Sequence, residues 1–169
     1  MLGCFEGPAY LATANLDVLA WNEALSAVFG DLSLVPAENR NMLWLMFADP
    51  AQRASIPNWA DAARAMLARF RIEYGRNQGD ERFERLIHRL CAASPEFLAW
   101  WPQHDVTVTP ERPKRFSSPA VGEMELEQST LLLEGAIGTR LVVYAPANPE
   151  SAARIAVLRQ SWLAARRPH

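Results

Sequence analysis

The sequence predicts an α+β fold in which an antiparallel sheet carries helices on one face. Through the middle of the chain, apolar residues recur with a helical period near 3.6, whereas both flanking parts alternate with the strand period of 2. The predicted order is therefore two strands, a block of helices, about three strands and a final helix. The chain has 169 residues, half of them apolar, which suits one domain with a substantial core.

The first two strands form a predicted hairpin. Residues 9–14 and 18–21 are strand-like, and the polar segment 15–17 supplies the turn between them. Asn22 then has the residue type of a helix N-cap, so a short helix follows it. Residues 31–40 are predicted as a loop.

Four more helices follow that short one in the central block. Residues 41–47 form a very apolar helix that stops before Pro50, because the residue before a proline is disfavoured in the helical region. The pattern is strongest over 58–74, where one face collects Trp59, Ala63, Met66, Phe70 and Tyr74. Asp80 and Ser94 are predicted to cap the next two helices.

The last third of the chain changes to strand patterning. Residues 106–109 are predicted as a strand, and the proline-rich segment 110–119 as a loop. In 123–128 three glutamates face one side and Met124 and Leu126 face the other, as in a half-buried strand. Two further strands were predicted around 131–134 and 139–145.

A single domain is expected over 1–169, with a core at 8–148 and a helical tail at 149–169. The net charge of −2 and a pI near 5.9 disfavour a nucleic-acid-binding surface. Cys4 and Cys91 make no disulfide framework, which favours a reducing, cytoplasmic location. No membrane span or signal peptide is expected, since the long apolar run that each needs is absent from the sequence.

The segment SPEFLAWWPQHDV, residues 94–106, holds the strongest chemical candidate, the pair His104 and Asp105. Neighbouring residues on an extended chain point to opposite sides, so Asp105 is poorly placed to orient the histidine ring. His104 is a catalytic residue, a hydrogen-bonded structural histidine or a polar contact at a pocket mouth, and the sequence leaves these open. Metal binding is disfavoured because three scattered histidines lack ligand spacing.

The arginines and aromatic residues also admit two interpretations. Arg64 and Arg71 flank one helix, either covering apolar surface or clamping an anionic head group, and Lys114 and Arg115 could add two more cations. The large apolar side chains form either a filled core or the wall of a ligand cavity. Residue type alone does not distinguish a wall from a core.

Six segments taken in order resemble the MmyB-like ligand-binding domain of bacterial transcription regulators. They are PAYLATANLDVLAWNEAL, NRNMLWLMFADP, NWADAARAMLARFR, SPEFLAWWPQHDV, KRFSSPAVGEMELE and RLVVYAPANPESA. The resemblance runs from about residue 8 to about residue 158. The resemblance implies a PAS-like fold with a five-stranded antiparallel sheet. It also implies a sensor of a small apolar ligand, with a long-chain fatty acid the leading candidate.

The resemblance extends to particular residues and has one departure. The segments WPQHDV and LARFR match the family's motifs at His104 and Arg71. Where the family usually has Arg-His-Pro before the Val-Gly turn, this chain has Ser117-Ser118-Pro119, so the role of that histidine is missing or altered. In the family this domain follows a helix-turn-helix of the XRE type, which is expected to be absent from this chain, so DNA would be contacted only through that other domain.

The sequence therefore predicts a cytoplasmic effector-binding domain of a transcription regulator, a homodimer without catalytic residues, metal or cofactor. The residues predicted to bind the ligand are Trp21, Trp44, Phe47, Trp59, Met66, Phe70, Arg71, His104 and Arg115. Two alternatives stay open. One is a ligand-free dimerisation module with a filled core. The other is a small hydrolase that uses Ser117 or Ser118 with His104.

Overall fold

The sheet is antiparallel and forms one wall of the protein. The structure, a computed structural model, describes residues 2–103, 113–136 and 138–166. Over these ranges the sheet has the strand order β2-β1-β5-β4-β3, with every neighbouring pair antiparallel. The strands are β1 (Ala9–Ala12), β2 (Val18–Trp21), β3 (Lys114–Ser118), β4 (Gly122–Leu132) and β5 (Arg140–Pro146). The predicted α+β fold is confirmed.

The helices begin where the predicted capping residues lie. They are α1 (Glu23–Phe29), α2 (Met42–Ala48), α3 (Pro50–Ala54), α4 (Trp59–Arg76), α5 (Glu81–Ala93), α6 (Pro95–Trp100) and α7 (Pro149–Ala165). The side chains of Asn22, Asp80 and Ser94 accept hydrogen bonds from first-turn backbone amides, which confirms all three predicted caps. Within the described ranges, none of the helices has the length and apolarity needed to cross a bilayer.

One face of the sheet is covered by helices. The register pairs Phe116 with Met124 and Gln128 with Tyr144, so these residues share the inner face. The ring of Phe29, at the end of α1, packs 4.7 Å from Phe116 and 5.4 Å from Tyr144. The three glutamates of β4 at 123, 125 and 127 are exposed on the other face, as their alternation predicts.

Two predictions about the C-terminal strands are wrong. Residues 114–118, assigned to a loop, form the edge strand β3, because its hydrogen bonds come from β4 and do not depend on an apolar pattern. The segments 123–128 and 131–134 belong to one strand down to Leu132, because β4 stays paired with β5 along its whole second half. The strand predicted at 106–109 lies outside the described residues.

Asn41 joins the N-terminal hairpin to the helices that cover the sheet. Its side chain is buried, and its Oδ1 accepts hydrogen bonds from the backbone amides of Leu43 (2.9 Å) and Trp44 (3.0 Å) at the start of α2. Its Nδ2 donates to the carbonyl of Asn15 (2.7 Å) and to the carboxylate of Asp17 (2.9 Å) in the hairpin turn. One buried amide therefore fixes α2 relative to the sheet.

We predict that Asn41→Ala lowers the free energy of unfolding by about 2–4 kcal/mol, because it removes an N-cap and leaves buried backbone groups unpaired. Asn58→Ala is the matched control. Asn58 is the N-cap of α4, but its side chain makes no capping hydrogen bond, so the expected cost is below about 0.5 kcal/mol. Urea unfolding of both variants measures the difference, and equal losses would contradict the role assigned to Asn41.

Candidate functional site

A cavity of about 620 Å³ lies between α4 and the inner face of the sheet, partly open to solvent. The helix side contributes Ala62, Ala65 and Met66 of α4. Other apolar lining residues, from α1, α2, the α3–α4 connection and the sheet, are Phe29, Met42, Leu45, Met46, Ile56 and Phe116. A space of this size, lined mainly by apolar groups with a few polar ones, has the character of a small-molecule site.

The small residues of α4 explain why the helix does not close onto the sheet. Ala62, Ala65 and Arg69 are three to four residues apart, so they share the face that borders the cavity. The methyl side chains of alanine reach only a short distance from a helix. The longer side chain of Met66 occupies only part of the width of the cavity. The side of the helix that faces the core carries the buried ring of Phe70. The helix therefore presents a large ring to the core and mainly short side chains to the cavity.

The structure brings three of the predicted ligand residues to this cavity. Met66, Arg71 and Arg115 line it. His104 lies outside the described residues. Sequence reasoning did not select the alanines of α4, the methionines of α2 or Tyr144, although the spacing of Ala62 and Ala65 along α4 was available as a signal.

Three other predicted ligand residues pack inside an aromatic cluster behind α4. The ring of Phe47 makes edge-to-face contacts with Trp59 at 5.8 Å and with Trp100 at 5.9 Å. The ring of Phe70 packs 5.3 Å from Phe83 on α5. The aromatic residues of the segment 94–101 therefore serve mainly to hold the helices together, although Trp100 also lines the cavity.

The remaining two predicted ligand residues lie at the periphery of the core. The indole Nε1 of Trp21 donates a hydrogen bond to Ser26 Oγ at 3.1 Å. The guanidinium of Arg89 lies over the ring of Trp44, 4.3 Å from its centroid. Both tryptophans are half-buried, and these contacts give them a packing role.

Positive charge predominates around the cavity although the chain as a whole is slightly acidic. Five cationic side chains line it: Arg64, Arg69, Arg71, Lys114 and Arg115. Two carboxylates oppose them, Asp61 and Glu127. An excess of cations around a cavity with low-dielectric walls favours an anionic ligand.

Arg71 is fixed by the end of α6. Its Nη2 donates to the backbone carbonyls of Trp100 and Trp101, the second at 3.2 Å, and its guanidinium lies 5.8 Å from the Trp101 ring. These carbonyls are acceptors that the last turn of a helix leaves without an intrahelical partner. Arg71 therefore joins α4 to α6 at the cavity wall, a positioning that the sequence did not predict.

Two buried tyrosines lie side by side on the inner face of the sheet. The rings of Tyr10 on β1 and Tyr144 on β5 stack at 6.4 Å, and Tyr144 lines the cavity. Burial raises the pKa of Tyr144 to about 12 and that of Tyr10 well above its ordinary value. The neighbouring Tyr144 also raises the pKa of Tyr10. The charge of Arg69 lowers both pKa values.

The described residues offer little support for catalytic chemistry. Within them, no group of three His, Cys, Asp or Glu side chains is placed to hold a metal ion. Ser118 Oγ accepts a hydrogen bond from the amide of Ala120 at 3.3 Å, and Ser117 bonds through its backbone to Ser55. The histidine that the hydrolase interpretation needs, His104, lies outside the described residues.

Comparison with known proteins gives one family. Residues 4–159 match the family described as the MmyB-like transcription regulator ligand binding domain. This match covers most of the chain and confirms the resemblance read from the six segments. The curated proteins contain no significant match to the chain.

The buried phenol of Tyr144 predicts a loss of stability at alkaline pH. Its pKa is about 12 in the folded protein against 10.0 in the unfolded chain, so the unfolded chain releases the proton first. Below pH 10 the phenol keeps its proton in both states, so its contribution to the free energy of unfolding is complete. As the pH rises to 12, the free energy of unfolding falls by roughly 2–3 kcal/mol. Tyr144→Phe should flatten this decline, measured by urea unfolding at a series of pH values.

Tyr74→Phe is the control for this experiment. The Tyr74 hydroxyl donates to Glu84 at 2.7 Å, away from the cavity, and that bond raises the pKa of Tyr74. Because this variant leaves Tyr10 and Tyr144 intact, it should keep most of the alkaline decline. Parallel curves for the wild type and Tyr144→Phe would show that Tyr144 does not titrate as a buried group.

Proposed function

The chain belongs to the MmyB-like transcription regulator ligand binding domain family, and from that premise we propose that its cavity holds a molecule with an apolar tail and an anionic head, a long-chain fatty acid. The observation that carries the proposal is the cavity of about 620 Å³ next to the hydrophobic core. Its volume falls in the range of ligand pockets, about 300–1,000 Å³. Unfilled apolar space costs packing energy, so a fold that keeps such a space favours an occupant.

The walls suit a flexible hydrocarbon tail. Met42, Met46 and Met66 approach the cavity from two helices, with Leu45 and Ile56 beside them. Methionine side chains are unbranched and adapt to irregular apolar shapes. Each CH₂ group of a tail buried against such a wall contributes about 0.8 kcal/mol, so a partly buried acyl chain gains enough to offset the cost of association.

The charged residues around the cavity support a ligand with an anionic head group, and we propose no chemical reaction of that group. Arg71 and Arg115 were predicted to meet a carboxylate, and both line the cavity together with Arg64, Arg69 and Lys114. Arg115 also pairs with Glu123 at 2.5 Å, on the exposed face of the sheet. We propose a sensor that binds its ligand unchanged, located in the cytoplasm.

Occupancy would act through a homodimer in the full-length regulator. A ligand changes the regulator by binding one conformation better than another. In a dimer, that shift would change the spacing of the two attached helix-turn-helix domains. Phe29 lines the cavity at the end of α1, and α1 packs along α7. The outward side of α7 is apolar, with Val157 and Leu163 about half exposed. This helix face is the proposed contact between two copies.

Filling the cavity tests the sensor proposal. We predict that Ala65→Phe displaces the ligand, because the ring would project from α4 into the space, while the midpoint of thermal unfolding stays near that of the wild type. Phe70→Trp, at a predicted ligand residue, is less informative, since Phe70 is fully buried and a larger ring would overpack the core. Native mass spectrometry of the purified wild type should show a co-purifying fatty acid that Ala65→Phe lacks.

Ala92→Phe is the matched control, because Ala92 lies on α5 with its side chain exposed. This variant should retain the fatty acid. If the wild type carries no lipid and added dodecanoate does not bind it, the cavity is not a fatty-acid site and the dimerisation module becomes the better interpretation.

The dimer is tested separately. We predict that Val157→Asp shifts the protein from dimer to monomer in analytical ultracentrifugation, because a charge would be buried in an apolar contact between two α7 helices. Gln160→Asp, which changes an exposed polar residue one turn further on, should have a smaller effect. A wild type that sediments as a monomer at all concentrations would exclude this interface.

A further inference from the structure

A strip of polar side chains crosses the inner face of the sheet at the floor of the cavity. Gln128 on β4 and Tyr144 on β5 are directly paired, and Tyr10 on β1 stacks against Tyr144. Their neighbours on this face, among them Phe116 and Met124, are apolar and buried. Polar groups in apolar surroundings lose their hydration, and only hydrogen bonds to other polar groups offset that cost. The strip therefore favours a polar group of a ligand as a hydrogen-bonding partner.

This floor offers hydrogen-bond donors. Burial keeps the Tyr144 phenol neutral at ordinary pH, so its hydroxyl carries a proton that it can donate. The amide of Gln128 bonds to Thr130 Oγ1 at 3.3 Å, which engages one of its two amide protons. Both Gln128 and Tyr144 line the cavity.

Arg69 supplies positive charge to the same place. It lies one turn beyond Ala65 on the α4 face that borders the cavity, and its charge acts on both phenols. Among the described residues it forms no ion pair, whereas Arg115 is paired with Glu123. Arg64 is instead placed over the ring of Trp100, 4.1 Å from its centroid.

We propose that the carboxylate of the ligand is held at this floor, by the Tyr144 hydroxyl, the Gln128 amide and the Arg69 guanidinium, and that the tail runs from there along Met42 and Met46. This rests on the proposed function, and it gives the site a specific head group. A carboxylate held between a neutral phenol and a guanidinium accepts charge-assisted hydrogen bonds, which are stronger than hydrogen bonds between uncharged groups. The site therefore selects a carboxylate over an uncharged head group on the same tail.

Binding of dodecanoate and 1-dodecanol to five proteins tests the proposal, by isothermal titration calorimetry on delipidated samples. The proteins are the wild type, Tyr144→Phe, Arg69→Gln, Gln128→Leu and, as the matched control, Arg85→Gln, at an exposed arginine of α5. We expect the first three variants each to weaken dodecanoate binding by roughly ten- to hundredfold and dodecanol binding by less than about threefold. Arg85→Gln should change the affinity for either probe by less than about threefold.

The outcomes separate this proposal from the one on which it rests. If the wild type prefers dodecanoate to dodecanol and the three floor variants keep that preference, the head lies at another part of the wall and the floor assignment is overturned. Equal binding of both probes by all five proteins leaves a tail site without a carboxylate anchor, which also overturns it. No binding of either probe to the wild type removes the fatty-acid function itself. Tyr10→Phe, which keeps the Tyr144 donor, checks that any loss in Tyr144→Phe is not a general effect of disturbing the pair, because it should retain dodecanoate binding.

Discussion

The position of α4 is the constraint on which the rest of the structure depends. The helix is held from behind by large rigid rings, with Trp59 against Phe47 and Phe70 against Phe83. Its C-terminal end is tied to β5 by an ion pair between Glu73 and Arg140. Because the rings hold the helix on its far side and the ion pair joins only its C-terminal end to the sheet, the rest of the helix does not settle onto the sheet, and its short alanine side chains leave the cavity open.

The same arrangement gives the helix wall and the sheet wall of the cavity different chemical character. The α2 wall is apolar and adaptable, with Met42 and Met46, and α4 adds Met66 together with the cation Arg69. The sheet wall carries a neutral phenol, Tyr144. A ligand that fills this space contacts a helix and a strand at once, so it stabilises one distance between them. Phe29 packs against Tyr144, and α1 packs along α7, so a chain of contacts connects the cavity to the C-terminal helix.

Local signals made much of the secondary structure predictable. Helix caps such as Asn22 and Ser94 satisfy amides within their own first turn, so residue type alone locates them. The edge strand β3 gave no such signal, since its hydrogen bonds come from β4 and its sequence is polar and flanked by prolines. The sequence likewise carried no signal for where the side chains of Phe47, Trp59 and Phe70 lie, and their predicted contact with a ligand stays a prediction. Large aromatic residues suit a core and a cavity wall equally, and here the structure packs these three against other rings.

The sequence by itself determined the α+β order of elements, the capped helices, the alternation of β4 and, through six matching segments, the family. The tertiary structure alone decided which apolar residues surround empty space and which fill it. It also decided that Tyr10 and Tyr144, far apart in the chain, stack against each other on the inner face of the sheet. The physical reason is that capping and alternation act over a few residues, whereas a cavity is the distance left between elements whose separation is fixed by packing elsewhere.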